Sequence, residues 1–186
     1  MKTFVALMRG INVGKTRSLP MAELRVLCGD LGFEKPETYI QSGNLLIDAN
    51  GSAEAVATAL ESAIAKRFGF SIPVIVRDSA HWKAYRDGDP FANDANSLPN
   101  HVHLCLSRAK PAADAVEKLR ERAADGERIE RAGDAIWIDF TNGAGRSKLS
   151  PVLIDRLVGS PVTARNHNTV LMLQAMIEAR GPCVRP

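Results

Sequence analysis

Aromatic side chains make up only 5% of these 186 residues, so a core must be filled by aliphatic side chains and alanine. Cysteine is scarce too. Cys28, Cys105 and Cys183 are odd in number, widely spaced and without a Cys-x-x-Cys pair, which argues against a disulfide framework and a cysteine zinc site. No stretch approaches the about 18 apolar residues of a membrane span, and the N-terminus turns polar at Arg9 and Asn12, too early for a secretory leader. Net charge is only +3, which permits an anionic ligand but falls short of the dense basic stripe of a dedicated nucleic-acid binder. His81, His101, His103 and His167 show no metal-ligand spacing with a helical frame. No serine or cysteine sits in a nucleophile elbow. The expectation is a protein of the reducing cytoplasm with no metal, no cofactor and no membrane association. No catalytic cluster is recognisable.

What is present is patterned for packing. With 45% hydrophobic and 24% charged residues, the chain has the composition of a globular protein rather than a disordered one. Thr3 to Met8 predicts a buried strand, and Pro20 with Met21, Leu24, Leu27, Cys28 and Leu31 predicts a helix stopped at Gly32. Strands at Thr38–Gln41 and Leu45–Ile47 flank the turn Ser42-Gly43-Asn44. A helix capped by Ser52 carries Val56, Leu60, Ile64 and Phe68 on one face. Ile72 to Val76 predicts a strand placed at an edge or end by Pro73. This order is the split βαβ arrangement of the ferredoxin-like fold.

A connecting stretch follows, helical from Ala80 to Arg86 and loose to Asn100, with Asp87, Asp89 and Asp94 expected to stay in water. The pattern then restarts: a strand at Val102–Leu106, a helix from near Pro111 to before Gly126, and a hairpin across Ala132-Gly133-Asp134. Two helices, Pro151–Val158 and roughly Asn168–Ala179, close the second half, with the added helix in place of a final strand. The fold class expected is α+β: two ferredoxin-like subdomains, antiparallel sheets with helices packed on one face, and extra C-terminal helices. The expected divisions are 1–78, a connecting segment 79–100, 101–180, and a tail 181–186 holding Cys183. Cys28, Cys105, Trp82 and Trp137 fall in apolar patterns and are expected to pack.

Four polar tracts stand at element ends. Arg9-Gly10-Ile11-Asn12-Val13-Gly14 leaves a strand, and its glycines let a ligand approach the backbone while Arg9 and Lys15 can neutralise an anion. It lacks the spacing of a P-loop or a Rossmann fingerprint, and Asn12 bonding its own backbone is the plainer account. Gln41, Ser42, Gly43 and Asn44 read first as turn chemistry. Gly143-Ala144-Gly145-Arg146-Ser147-Lys148 can form a nest of N–H groups, with Arg146 as a fork and Lys148 as a point charge. Arg165, Asn166, His167, Asn168 and Thr169 precede an amphipathic helix face and supply more polar groups than one N-cap needs.

Together, Arg9-Gly10-Ile11-Asn12-Val13-Gly14 with Pro20-Met21-x-x-Leu24, Tyr39 to Asn44, Ser147-Lys148-Leu149 and Ala164-Arg165-Asn166-x-Asn168-Thr169-Val170 resemble a widespread bacterial family, domain of unknown function 1697. The resemblance runs from near Thr3 to about Ile177. It implies a two-part α+β cytoplasmic protein with ferredoxin-like subdomains and no established activity. The family usually has tryptophan where His167 stands and an additional glycine where Lys15 stands. As a stacking platform, His167 would keep a ring and gain a titratable nitrogen. In a packing role, a polar ring argues for a more exposed position.

The reading these features favour is binding of a phosphorylated or otherwise anionic small molecule. The expected ligand-binding residues are Arg9, Asn12, Gly14, Ser42, Asn44, Arg146, Ser147, Lys148, Arg165, Asn166 and Asn168, with Arg9, Asn12, Arg146, Lys148, Arg165 and Asn166 expected to meet in a groove between subdomains. An enzyme acting on a phosphate-containing substrate is the first alternative, with His103 or Asp139 as the nominated base. A nucleic-acid surface, weakly supported, and a protein-interaction module are the others. Oligomeric state is not encoded in any feature of the chain.

Overall fold

The computed structural model describes residues 1–14 and 16–181, so Lys15 and Cys183 lie outside the described residues. The chain divides into two compact units, Met1–Trp82 with Leu173–Pro186, and Lys83–Met172. Each contains one four-stranded antiparallel sheet with helices, a mixed α+β architecture consistent with two ferredoxin-like subdomains. No described helix is long and apolar enough to cross a membrane.

In the first unit the order is β1 (Lys2–Met8), α1 (Met21–Asp30), β2 (Glu34–Tyr39), β3 (Asn44–Ala49), α2 (Ala53–Phe68) and β4 (Val74–Asp78), with sheet order β2-β3-β1-β4. Strand alternation sends Phe4, Ala6, Met8, Leu45, Ile47, Val74 and Val76 into one core with Leu24, Leu27 and Cys28 of α1 and Val56, Leu60 and Ile64 of α2. The opposite-facing Val5, Leu7, Leu46 and Ile75 are buried as well. That explains why β1 reads as a continuous apolar run. Ser52 caps α2, its hydroxyl accepting from the Ala55 N–H at 3.1 Å. Pro73 leads into β4, an edge strand. β2 starts earlier than its sequence suggests, because a polar edge strand through Glu34, Lys35 and Pro36 tolerates a register shift between Glu34 and Glu37.

The second unit contains α3 from Lys83 onward (Ser79–Asp87 overall), β5 (Val102–Ser107), α4 (Ala115–Arg120), β6 (Arg128–Ala132), β7 (Ala135–Asp139), α5 (Pro151–Val158) and β8 (Val162–Asn166). α6 (His167–Ala179) follows, its residues from Leu173 belonging to the first unit. The sheet order is β6-β7-β5-β8. β8 corrects the expectation of a helix in place of a final strand: it pairs with β5 from Ser107↔Val162 to His103↔Asn166, completing βαββαβ. Its sequence, Val-Thr-Ala-Arg-Asn, hides a buried face made partly of Thr163 and Arg165. One face of this sheet packs Cys105, Ile129, Ile136, Ile138 and Phe140 against α4 and α5. On the other, register places Glu130, Trp137, Leu104 and Arg165 in one row.

Candidate functional site

The first two polar tracts meet at one end of the first sheet, where β1 and β2 run out and β3 and β4 begin. The clasp is Asn12. Its amide nitrogen donates to the Gln41 carbonyl at 2.7 Å and the Leu19 carbonyl at 3.1 Å, while its oxygen accepts from the Leu19 N–H at 2.8 Å. Asn12 sits at φ 54°, in the left-handed region that asparagine tolerates. Asn44 is fully buried and donates to the Tyr39 carbonyl and Ser42 Oγ, closing the four-residue hairpin loop from within. Gly43 lies against Met8 and Ile11 so closely that a Cβ would stand 2.7 and 2.6 Å from their side chains. Glycine is required there on steric grounds as well as by φ 79°.

Ile40 also adopts a left-handed φ, 49°. A β-branched residue in that region is a genuine outlier and costs of order 1–3 kcal/mol. Yet Ile40 is half exposed, and so is not held in place by burial. Val13, next to Asn12, is 70% exposed. The two joined loops thus present aliphatic side chains to solvent from a backbone held away from its preferred conformations.

Between the loops and the start of α1 lies a pocket of about 550 Å³ lined by Asn12, Ser18, Pro20, Met21, Ala22, Arg25 and Gln41. Pro20, the N-cap residue of α1, makes no side-chain capping bond, so first-turn N–H groups and the positive end of the helix dipole lie beside the pocket. Glu23 is in that first turn and reaches Arg67 at 3.8 Å. Among the described lining residues Arg25 is the one charged side chain. It is anchored by a 2.6 Å hydrogen bond from Nη1 to Thr38 Oγ1.

Of the residues expected at a site, then, Asn12 lines this pocket. Asn44 and Ser42 hold the adjoining hairpin, Gly14 occupies an exposed turn, and Arg9 is half-buried with its N–H donating to the Pro73 carbonyl. Arg25 and Ser18 also line it and are not among the expected residues. A single arginine within a helical pattern carries no signal, and only the clasp shows which loops it faces.

The other tracts belong to the second unit. Arg146 and Lys148 are exposed on the loop after β7, and Ser147 anchors that loop by donating to Glu127 and accepting from the Leu149 N–H. The carboxyl of Glu127 lies below its usual range: burial opposes the shift, but the bonds from Ser147 and Asp125 outweigh it. Arg165 is buried, donates to Thr163 Oγ1 and the Ala164 carbonyl at 2.8 Å, and has its pKa pulled down to about 10 by desolvation. Asn166 Oδ1 accepts from the Thr169 N–H at 3.0 Å, the cap of α6, and Asn168 is exposed.

The acidic stretch expected to stay in water does not do so throughout. Asp89 is buried and accepts from the Phe91 N–H at 2.8 Å and from His167 Nδ1 at 2.5 Å. His167, 14% exposed, lies 6.4 Å from the Trp137 ring. The exposed position expected of a packing histidine is therefore not what is found: a buried carboxylate accommodates the polar ring. Asp94 pairs with Arg128, which also pairs with Asp139 and lies 5.1 Å from the Phe91 ring centroid. The two groups nominated as a base are engaged. Asp139 meets Arg128 and accepts from Ser97 at 2.9 Å. His103 is held by the His101 carbonyl at 2.8 Å, and burial lowers its pKa. Cys28 and Cys105 are buried free thiols, pushed up to about 12 by desolvation.

Residues 1–137 match the family described as protein of unknown function (DUF1697). The tracts at 143–149 and 163–170 lie beyond that match. Among solved structures, conserved bacterial protein SP0830 from Streptococcus pneumoniae is similar, with a TM-score of 0.73 and 23% identity over 95% of this chain and 98% of that one. At such identity the likeness concerns the fold alone. No curated protein matches the chain.

Proposed function

This chain belongs to the family of proteins of unknown function DUF1697, and from that premise we propose that it is a cytoplasmic protein binding a small phosphorylated or otherwise anionic ligand in the pocket between the Asn12 and Gln41 loops and α1. The observation that carries this reading is the charge of the lining: Arg25 and neutral polar groups, with no carboxylate among the described residues that line it. The start of α1, where Pro20 makes no side-chain capping bond, adds partial positive charge on the same side. The pocket's volume is in the range of small-molecule sites. Buried free thiols at Cys28 and Cys105 suit a reducing compartment. In the second unit, Arg146 and Lys148 are the exposed cations of their loop, whereas Arg165 and Asn166 bond within the fold.

The test is a thermal-shift and calorimetric panel of inorganic phosphate, sugar phosphates, nucleotides and a short oligonucleotide on the whole chain. Binding raises the melting temperature as the ligand exceeds its Kd. We expect at least one phosphate compound to bind, and Arg25→Ala to weaken it about tenfold or more, as loss of a charge-assisted hydrogen bond does. Absence of any shift at millimolar concentration, or full affinity in Arg25→Ala, removes the proposal.

A further inference from the structure

The second unit holds a buried carboxylate–imidazole pair that the anion reading does not use. Asp89 has no exposed side-chain surface, and both its oxygens are occupied: Oδ1 accepts from the Phe91 N–H at 2.8 Å and Oδ2 from His167 Nδ1 at 2.5 Å. A carboxylate only accepts, so Nδ1 carries the hydrogen and Nε2 is left as the lone-pair nitrogen of the neutral ring. Nε2 has no hydrogen-bond partner among the described residues. The His167 side chain keeps 14% of its surface exposed, so the ring is not sealed from solvent.

We propose that His167 is a nucleophile, that Asp89 positions its ring, and that the group it takes is an uncharged, activated acyl group. A buried carboxylate needs only a donor, and an asparagine amide would supply one. What imidazole adds is a second nitrogen with a lone pair that the fold leaves unused. The choice of electrophile follows from charge. Asp89 is the one charged group bonded to the ring among the described residues. An anionic phosphoryl group would face that carboxylate with no cation bonded beside it, whereas a neutral carbonyl carries no such cost. Trp137, whose ring centre lies 6.4 Å from that of His167, has a buried indole N–H without an acceptor among the described residues. Such a donor is of the kind a carbonyl oxygen uses.

In the transfer, the Nε2 lone pair forms a bond to the acyl carbon, and the bond to the leaving oxygen breaks, the oxygen departing with its electron pair. The ring is then an acylimidazolium, whose positive charge Asp89 offsets through Nδ1–H. Water adds to the acyl carbon, the C–N bond breaks, and the neutral ring returns as the carboxylic acid and one proton pass to solvent.

Two measurements on the whole chain test this. Diethyl pyrocarbonate acylates imidazole nitrogens, and peptide mass spectrometry ranks the four histidines by rate. His81 is the internal standard: its Nδ1 meets Asp78 at 2.7 Å, but its side chain is 59% exposed and that of Asp78 25%. Accessibility alone would put His81 first, and we expect His167 to lead. The second measurement is release of p-nitrophenolate from p-nitrophenyl acetate. His167→Asn sets an amide N–H at about the position of Nδ1 and removes Nε2, and should lower that release about tenfold or more. Asp89→Asn should slow reaction at residue 167 about tenfold while leaving the rate at His81 unchanged. Loss of folding does the opposite, since it exposes every histidine, and thermal melting checks both variants.

Reaction at His81 ahead of His167 overturns the proposal. So does p-nitrophenolate release that persists in His167→Asn. An equal or faster rate at His167 in Asp89→Asn overturns it too, because the carboxylate then shields the ring instead of positioning it.

Discussion

Asn12 does at one position what usually takes several residues. Its backbone takes the left-handed turn out of β1, and its amide reads both neighbouring segments through three hydrogen bonds. The two contributions separate by substitution. Asn12→Gly keeps the backbone conformation and deletes the three amide bonds, each worth about 1 kcal/mol net, so urea denaturation should show a loss of about 3 kcal/mol. Asn12→Ala deletes the same bonds and adds a Cβ in the left-handed region, and should cost about 1 kcal/mol more. Equal stability of Asn12→Ala and the parent would mean the clasp is not formed in solution. The same substitutions should weaken phosphate binding together, since both free the Gln41 loop from the pocket's edge.

At the scale of elements, the two hydroxyl-capped helices can be weighed directly. Ser52 caps α2, and Ser150 caps α5, accepting from the Leu153 N–H at 3.3 Å with Pro151 in the first turn. Each serine-to-alanine change should cost about 1 kcal/mol in urea denaturation. Ser150→Ala should cost less than Ser52→Ala, because its bond is longer and Pro151 already fixes the first helical φ. The Ser52 cap and the helix start at Pro151 were legible in the sequence, as were the apolar faces of α1 and α2, because helical spacing and cap chemistry are local. β8 was not legible. Its burial depends on pairing with β5, and the Arg165 face is polar in composition although buried in fact. The site was legible to the same local extent. The tracts around Asn12 and Gln41 could be marked as irregular, but that one bonds the other, and that Arg25 lies beside them, are consequences of tertiary structure. Asp89 shows the limit most plainly, since nothing in Gly-Asp-Pro-Phe reveals that His167, 78 residues away, will receive its carboxylate.

At the scale of the whole chain, the first unit is not finished until nearly the last described residue is in place. Leu173 is fully buried, and the residues from there onward group with Met1–Trp82 rather than with the segment that precedes them. Arg180 is the chief polar tie. Its side chain is 4% exposed, and it donates to Asp48 Oδ1 at 3.2 Å, to the Lys35 carbonyl at 2.6 Å and to the Leu46 carbonyl at 3.2 Å. These partners lie 132 to 145 residues earlier, so the bonds can form only after a long loop has closed. Asp48, 3% exposed, is left with Lys35 at 3.6 Å and the Thr3 hydroxyl at 2.7 Å when the arginine is removed. Breaking a buried pair by deleting one partner costs about 3–5 kcal/mol. The remaining partners of Asp48 soften this, as does the relief of Arg180 Nε, which is buried without a hydrogen bond. Arg180→Met should therefore destabilise the first unit by about 2 kcal/mol, read as faster amide hydrogen exchange in β3. Asp48→Asn combined with Arg180→Met should recover part of that loss, because no unpaired buried charge remains. Additive losses in the double variant would show that Asp48 is stabilised by Lys35 and Thr3 alone. Unchanged exchange in Arg180→Met would show that the C-terminal stretch rests on the first sheet through Leu173 rather than through its charge.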